Sequence, residues 1–173
     1  MLIQPDPDAH PFWRFSLDRY GRSGVPPLCL EIQEETGADV NLLLFGLWLG
    51  SEGWGITGAG AARCAGEVSA WHAEIVRPLR AVRRRLKGWQ VCPEAPRETL
   101  RAGIQKWEIE AERLEQGMLF ALYEGLMVAE PALVEAGTDR AATMTGNLDT
   151  FAALAPKGKG AAEPRAKLVA LCL

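Results

Sequence analysis

Apolar residues recur every three or four positions along most of the chain, the period of a helix with one buried face. The gaps between these runs carry helix-ending residues. "PFWRFSLDRY" predicts a first helix over 11–20, with His10 or Ala9 at its cap, Pro11 in the first turn, and Phe12, Phe15 and Tyr20 among the aromatics to bury. Gly21 and Gly24 close it. Ser23 or Gly24 caps a second helix, with Pro26 and Pro27 in its first turn and Leu28, Cys29 and Ile32 facing inward. Gly37 stops that helix, because glycine takes the left-handed conformation of the C′ position without steric cost. Asp39 then offers a carboxylate to the free N–H groups of a third helix carrying "NLLLFGLWLG".

Two longer stripes follow. Over 61–87, Cys64, Val68, Trp71, Ile75, Leu79, Val82 and Leu86 recur at spacings of four and three, with Pro78 predicting a kink or break near Val76. Over 97–129, Leu100, Ile104, Trp107, Ala111, Leu114, Met118 and Leu122 repeat the pattern. The joining segment "GWQVCPEAP" makes the pair an antiparallel helical hairpin. Glu108, Glu112 and Glu115 fall off the apolar stripe, on a solvated or ion-paired face where Arg77 or Arg80 would meet them. Pro131 ends or bends the second arm, and Thr138 or Asp139 caps a further helix with Met144, Leu148, Phe151 and Ala155. No run of alternating β-branched residues and no internal repeat is present. The expected class is all-α: a single-domain multi-helix array or bundle over 1–156, built on a long antiparallel hairpin. "PKGKGAAEP" and "RAKLVALCL" read as a flexible linker and an apolar C-terminal tail over 157–173.

Composition narrows the class. A chain of 173 residues with 48% hydrophobic and 24% charged residues suits one globular domain that needs no disulfide or metal staples. A formal charge of -3 gives no overall attraction to nucleic acid or anionic lipid. Cys29, Cys64, Cys92 and Cys172 form no C-x-x-C pair, which favours reduced thiols and a cytoplasmic location. "MLIQPDPDAHPFW" lacks the basic n-region of a secretory signal. The most apolar run, 42–50, is under half of the roughly 20 residues that span a bilayer.

"PFWRFSLDRYGRSGVPPLCLEIQEETGADVNLLLFGLWLG", 11–50, resembles the signature of a bacterial family known as domain of unknown function 2390. "VRPLRAVRRRLK" and "EIEAERLEQ" resemble its later blocks, so the similarity extends to about residue 127. The resemblance implies a cytosolic, all-helical protein and carries no activity, cofactor or catalytic residue. The glycine run at 53–60 and the segment after Pro156 depart from the family pattern.

Gly53, Gly55 and Gly58 match the G-x-G-x-x-G spacing of a dinucleotide site, which needs a preceding strand. The run before them is a capped, leucine-rich helix, so a flexible interhelical loop is the better reading. No G-K-S or G-K-T follows, and neither His10 nor His72 has Glu three residues before it, as bundle metal sites require. No metal or cofactor is therefore assigned. His72 lies about 12 Å along the helix from Cys64, too far for a dyad, and reads as a boundary residue. Arg80, Arg84 and Lys87 follow one helix face and form the clearest candidate for an anionic ligand. Asn41, in the first turn of an apolar helix, either bonds local backbone or contacts a ligand. Phe12, Trp13, Phe15, Tyr20, Trp48 and Trp54 form either core or the lining of an apolar site; Trp13 and Trp48 are the candidates carried forward.

Three functions follow, in order. The first is a non-enzymatic adaptor or assembly factor acting through another protein. The second is a binder of an apolar or amphiphilic acidic small molecule, with aromatics for its tail and Arg80, Arg84 or Lys87 for its head. The third is an enzyme with an unrecognised site. Nucleic acid ranks last, no membrane span is expected, and the heptad stripes serve equally within one chain or in a homo-oligomer.

Overall fold

The computed structural model describes residues 10–128, 132–158 and 160–173. Ala9 and Pro131, one considered as a cap and the other as a helix break, lie outside them. The chain runs α1 (Pro11–Tyr20), α2 (Val25–Thr36), α3 (Val40–Glu52), β1 (Trp54–Ile56), α4 (Gly58–Trp71), a π-helical turn (His72–Val76) and α5 (Arg77–Lys87). It continues through α6 (Glu94–Val128), β2 (Leu133–Glu135), α7 (Arg140–Ala152) and α8 (Ala162–Cys172). This is the all-α array that the periodicity predicts. None of its described helices is long and apolar enough to cross a membrane.

Local chemistry sets the helix ends. His10 Nδ1 accepts from the Trp13 N–H at 3.2 Å, and Asp39 Oδ1 accepts from the Asn41 N–H at 2.9 Å. Gly37, at φ 72°, closes α2 in the left-handed conformation. Asp139 caps α7 through the Ala142 N–H. Tyr20 departs from expectation: α1 buries Phe12 and Trp13, whereas Tyr20, in the last turn beside the chain reversal, is substantially exposed.

α3 is buried at every position from 43 to 50, as befits a helix apolar on all sides. It crosses α7 at Gly46 and Gly50. A Cβ on Gly46 would meet the Phe151 ring at 3.0 Å, and one on Gly50 would meet Met144 Cγ at 2.7 Å. Asn147 of α7 pins the crossing. Its Nδ2 donates to the carbonyls of Gly46 and Trp54, each at 2.9 Å, and its Oδ1 accepts from the Ile56 N–H at 2.8 Å.

The glycine run is more ordered than the expected loop. Gly53, at φ 94°, ends α3. Residues 54–56 then pair antiparallel with β2, placing Gly55 opposite Val134, and Thr57 Oγ1 accepts from the Gly60 N–H at 3.2 Å. Three residues are too few to show alternation in a sequence. Because the strand follows the first glycine and belongs to an antiparallel pair, the dinucleotide-binding βαβ unit is absent among the described residues.

α5 and α6 run antiparallel: His72, Arg80 and Arg83 meet Glu115, Glu112 and Glu108 in turn. The break anticipated near Val76 is the π-helical turn before it. Pro78 cannot donate to the Glu74 carbonyl and its ring crowds that carbonyl, so the preceding turn widens. The widened turn holds an extra residue and rotates everything beyond it. Val76, Arg80 and Arg83 consequently turn toward α6, while Ile75 and Val82 are exposed. On α6 the buried positions are Glu108, Ala111, Glu115, Gln116, Leu119 and Leu126, whereas Leu100, Trp107 and Leu114 face outward. The predicted stripe is thus split: Cys64, Val68 and Ala111 are buried and Met118 and Leu122 pack on the core, whereas Ile75, Val82, Leu100, Trp107 and Leu114 are exposed. Glu108 and Glu112 meet Arg80, as the ion-paired reading of that face expects, whereas Glu115 is fully buried against His72 rather than a guanidinium.

α8, drawn from the segment expected as linker and tail, packs against α2 with Leu168, Val169 and Cys172 in the core. Arg19 Nε donates to the Cys172 carbonyl at 2.7 Å and Arg22 Nη1 to the Leu171 carbonyl at 2.8 Å, satisfying acceptors at the end of α8. All four cysteines are free thiols.

Candidate functional site

The turn between α2 and α3 faces the end of α4, the π-helical turn and the first turns of α5. The end of α7 closes the other side, leaving a cleft of about 860 Å³. Leu42, Leu43, Val68, Phe151 and Leu154 give it an apolar wall. Arg77, Arg80, Arg84 and Lys157 also line it, with Glu34 among its acids. Lys157 Nζ donates to the Glu34 carbonyl at 2.9 Å.

The cations differ in their commitments. Arg80 donates from Nε to Glu108 Oε1 at 3.1 Å, from Nη1 to Gln33 Oε1 at 3.0 Å, and from Nη2 to Glu112. Its guanidinium therefore ties α5 to α2 and α6. Arg77 and Arg84 have no hydrogen bond or ion pair among the described residues.

At the inner edge stand Asp39, His72 and Glu115. Asp39 comes from the cap of α3, His72 from the first position of the π-helical turn, and Glu115 from the buried seam of α6. His72 Nδ1 lies 3.0 Å from Asp39 Oδ2 and 3.3 Å from each carboxyl oxygen of Glu115, and its hydrogen bond to Glu115 is made with Oε2. The Glu115 side chain is 0% exposed, and its Oε1 has no hydrogen-bond donor. Burial pushes its carboxyl up to about 8; the bond to His72 opposes that rise, and the neighbouring Asp39 reinforces it. Burial would lower the imidazole, but its bonds to Asp39 and Glu115 prevail and push it up to about 9. Burial also acts to raise Asp39, yet bonds from His72 and Glu115 leave it below the usual carboxylate range. At neutral pH the triad is thus an imidazolium, one carboxylate and one carboxylic acid. Nε2 of His72 has no partner among the described residues, while the ring lines the cleft, which makes it a charged donor toward a ligand. A ring that stays protonated at neutral pH is poorly suited to act as a general base. One atom from each of the three side chains can be chosen so that all lie within 4.8 Å of one another, a spacing a metal ion could use.

Residues 11–119, more than half of the chain, match the family described as "Protein of unknown function (DUF2390)". The chain belongs to that family. No curated protein and no solved structure matches it. The matched segment of this DUF2390 member includes Asp39, His72, Arg77, Arg84 and Glu115, and excludes Phe151, Leu154 and Lys157.

Among the residues singled out from sequence, the DUF2390 fold brings Arg80 and Arg84 into the cleft wall. Lys87 is exposed in the last turn of α5 and does not line it. Asn41 is buried and its Oδ1 accepts from Gln116 Nε2 at 2.8 Å, so it joins α3 to α6 rather than bonding local backbone. Trp13 is core, and Trp48 packs against Phe12, Phe45, Phe120 and Tyr123 at ring separations of 5.0–5.6 Å. None of the six aromatics considered for an apolar site lines the cleft. The triad was missed because Asp39 already had a capping role and His72 and Glu115 looked peripheral. A usable signal was the series Glu108, Ala111, Glu115 and Leu119, whose spacings of three and four describe a seam.

Proposed function

We propose that this DUF2390 member binds an acidic amphiphile in the cleft, its chain along Leu42, Val68 and Phe151 and its head at Arg77, Arg84 and His72. What carries the reading is a cleft lined both by apolar side chains and by two guanidiniums that have no carboxylate partner among the described residues. The volume is that of a small-molecule site, which typically occupies ~300–1,000 Å³. The charged His72 adds a donor at the same end. This favours the small-molecule reading over the adaptor reading that the sequence ranks first.

Native mass spectrometry and calorimetry with decanoate and decyl phosphate test it. The expectation is one bound molecule, lost in the Arg77→Glu/Arg84→Glu double variant and weakened by Leu42→Lys. A folded native chain that takes up neither compound would overturn it.

The adaptor reading keeps one specific support, the outward apolar residues Leu100, Trp107 and Leu114 on α6, with Trp107 63% exposed. Contact through this face predicts that Leu100→Ser/Trp107→Ser loses a partner that co-purifies with the native chain and still binds decanoate. A native chain recovered alone and monomeric would count against it.

A further inference from the structure

We propose that Asp39, His72 and Glu115 hold a divalent transition-metal ion, with one coordination position open toward the cleft. Metal ions of this class accept imidazole nitrogen and carboxylate oxygen at ~2.0–2.2 Å, which puts neighbouring ligand atoms of a tetrahedral site roughly 3.3 Å apart. His72 Nδ1 already stands 3.0 Å from Asp39 Oδ2 and 3.3 Å from Glu115 Oε1. Small side-chain rotations would complete the three-ligand set.

Each ligand is held independently. Asp39 commits Oδ1 to the Asn41 N–H at 2.9 Å, which fixes the carboxylate and leaves Oδ2 for the ion. His72 occupies the π-helical turn, a distortion often found at functional sites. Glu115 is buried in α6; its Oε2 bonds His72 Nδ1, and its Oε1, at 3.3 Å from the same nitrogen, has no hydrogen-bond donor. That atom is the second observation, beyond clustering alone: a buried acceptor without a donor is costly, and a cation would satisfy it.

Binding releases one proton from the His72 imidazolium and one from the Glu115 carboxylic acid, after which two carboxylates and one neutral imidazole balance a dication. The Arg80 guanidinium is paired with Glu108 and Glu112, which offsets its charge. Coordination through Nδ1 leaves Nε2–H as a donor toward the cleft. Magnesium, which demands near-octahedral oxygen ligation and retains its waters, fits this set poorly. The inference goes beyond the amphiphile reading and shares only His72 with it; Asp39 and Glu115 test the metal, and Arg77 and Arg84 test the amphiphile.

The full-length chain carrying Cys92→Ser, which removes the exposed thiol, is stripped with chelator and titrated with zinc by calorimetry. One zinc per chain is expected, with magnesium unable to compete. Asp39→Asn retains a residue able to cap α3, and Glu115→Gln retains the side-chain shape; each should weaken zinc binding at least 100-fold while circular dichroism confirms folding. Zinc bound equally well by the folded Asp39→Asn/Glu115→Gln variant would overturn the proposal, as would absence of stoichiometric binding to the parent chain. Should either variant fail to fold, cobalt provides a second measurement. The parent chain should show the visible absorption of low-coordinate cobalt, and His72→Ala should lose it; an unchanged spectrum overturns the assignment. Arg77→Glu/Arg84→Glu is expected to lose decanoate and keep zinc, so failure of the two readings is separable.

Discussion

The α3–α7 crossing and the α5–α6 arm are both helix pairs, held by opposite chemistry. At the crossing, buried leucines and aromatics surround two backbones brought together by Gly46 and Gly50, with Asn147 as the polar cross-link. In the arm, no residue of α5 reaches full burial, and Arg80 and Arg83 reach across to Glu108 and Glu112. Burying a leucine contributes ~1.5–3 kcal/mol, whereas much of the attraction in a desolvated ion pair offsets the loss of hydration. The crossing therefore concentrates stability, while the arm places charge at the cleft at little net gain. That division suits a binding site: the rigid element supplies its apolar wall, and the weaker element supplies its cations.

The strongest way to break the comparison is at Gly50. Gly50→Val would improve helix propensity by less than about 1 kcal/mol. Its side chain would also be driven into Met144, whose backbone N and Cα stand 3.0 Å from the position of a Cβ. Overpacking should win, with a net loss of about 3 kcal/mol read as a lower melting temperature for the whole chain. A melting temperature equal to the native one would show that the crossing is looser than its geometry implies. Asn147→Leu should cost less. It orphans the Ile56 N–H and the Trp54 carbonyl and removes a second bond from the Gly46 carbonyl, which stays in the helix ladder, while an extra apolar side chain returns part of the loss, leaving about 2 kcal/mol of destabilisation in denaturant melts.

The arm should fail locally. Arg80→Met keeps much of the side-chain length and removes three connections, so α5 should open about 30-fold more readily, equivalent to about 2 kcal/mol. Native-state hydrogen exchange distinguishes this from global unfolding, because α3 should keep its protection. Equal loss in both helices would mean that arm and crossing form one cooperative unit.

The same contrast separates what the sequence discloses from what it conceals. Gly37, Asp39 and Asp139 act on their own helix ends, so those boundaries are local and legible. The face of α5 depends on one residue inserted by the π-helical turn, which rotates later side chains by about 100°. A heptad count carried through Pro78 therefore points Val82 inward and misses Arg83. Asp39 shows the limit from another side. Its cap was legible from one oxygen, but the other oxygen meets His72 and Glu115, which only the fold brings near. Glu115 falls off the apolar stripe, which reads as a solvated or ion-paired face; the partners that bury it, His72 and Asp39, come together only in the fold.

The finest test of the comparison is acid. Burial acts to raise the Glu108 carboxyl, but hydrogen bonds and charges from Arg83 and Arg80 outweigh it and hold the folded value below 4.5. Its contribution is therefore fully present above the ordinary carboxylate range and is lost as pH falls through the depressed folded value. Glu112 works in the opposite sense. Burial raises its value despite attraction from Arg80, so its contribution favours the acid side and is lost as pH rises through the folded value. The net response of the arm is consequently a small difference, and Glu108→Gln separates it. Amide resonances of α5, followed from neutral pH to about pH 3, should move toward those of an opened helix in the native chain before α3 changes. In Glu108→Gln that early acid step should disappear. If it persists unchanged, another carboxylate holds the arm, and the pairing of Glu108 with Arg80 and Arg83 is not what distinguishes it from the crossing.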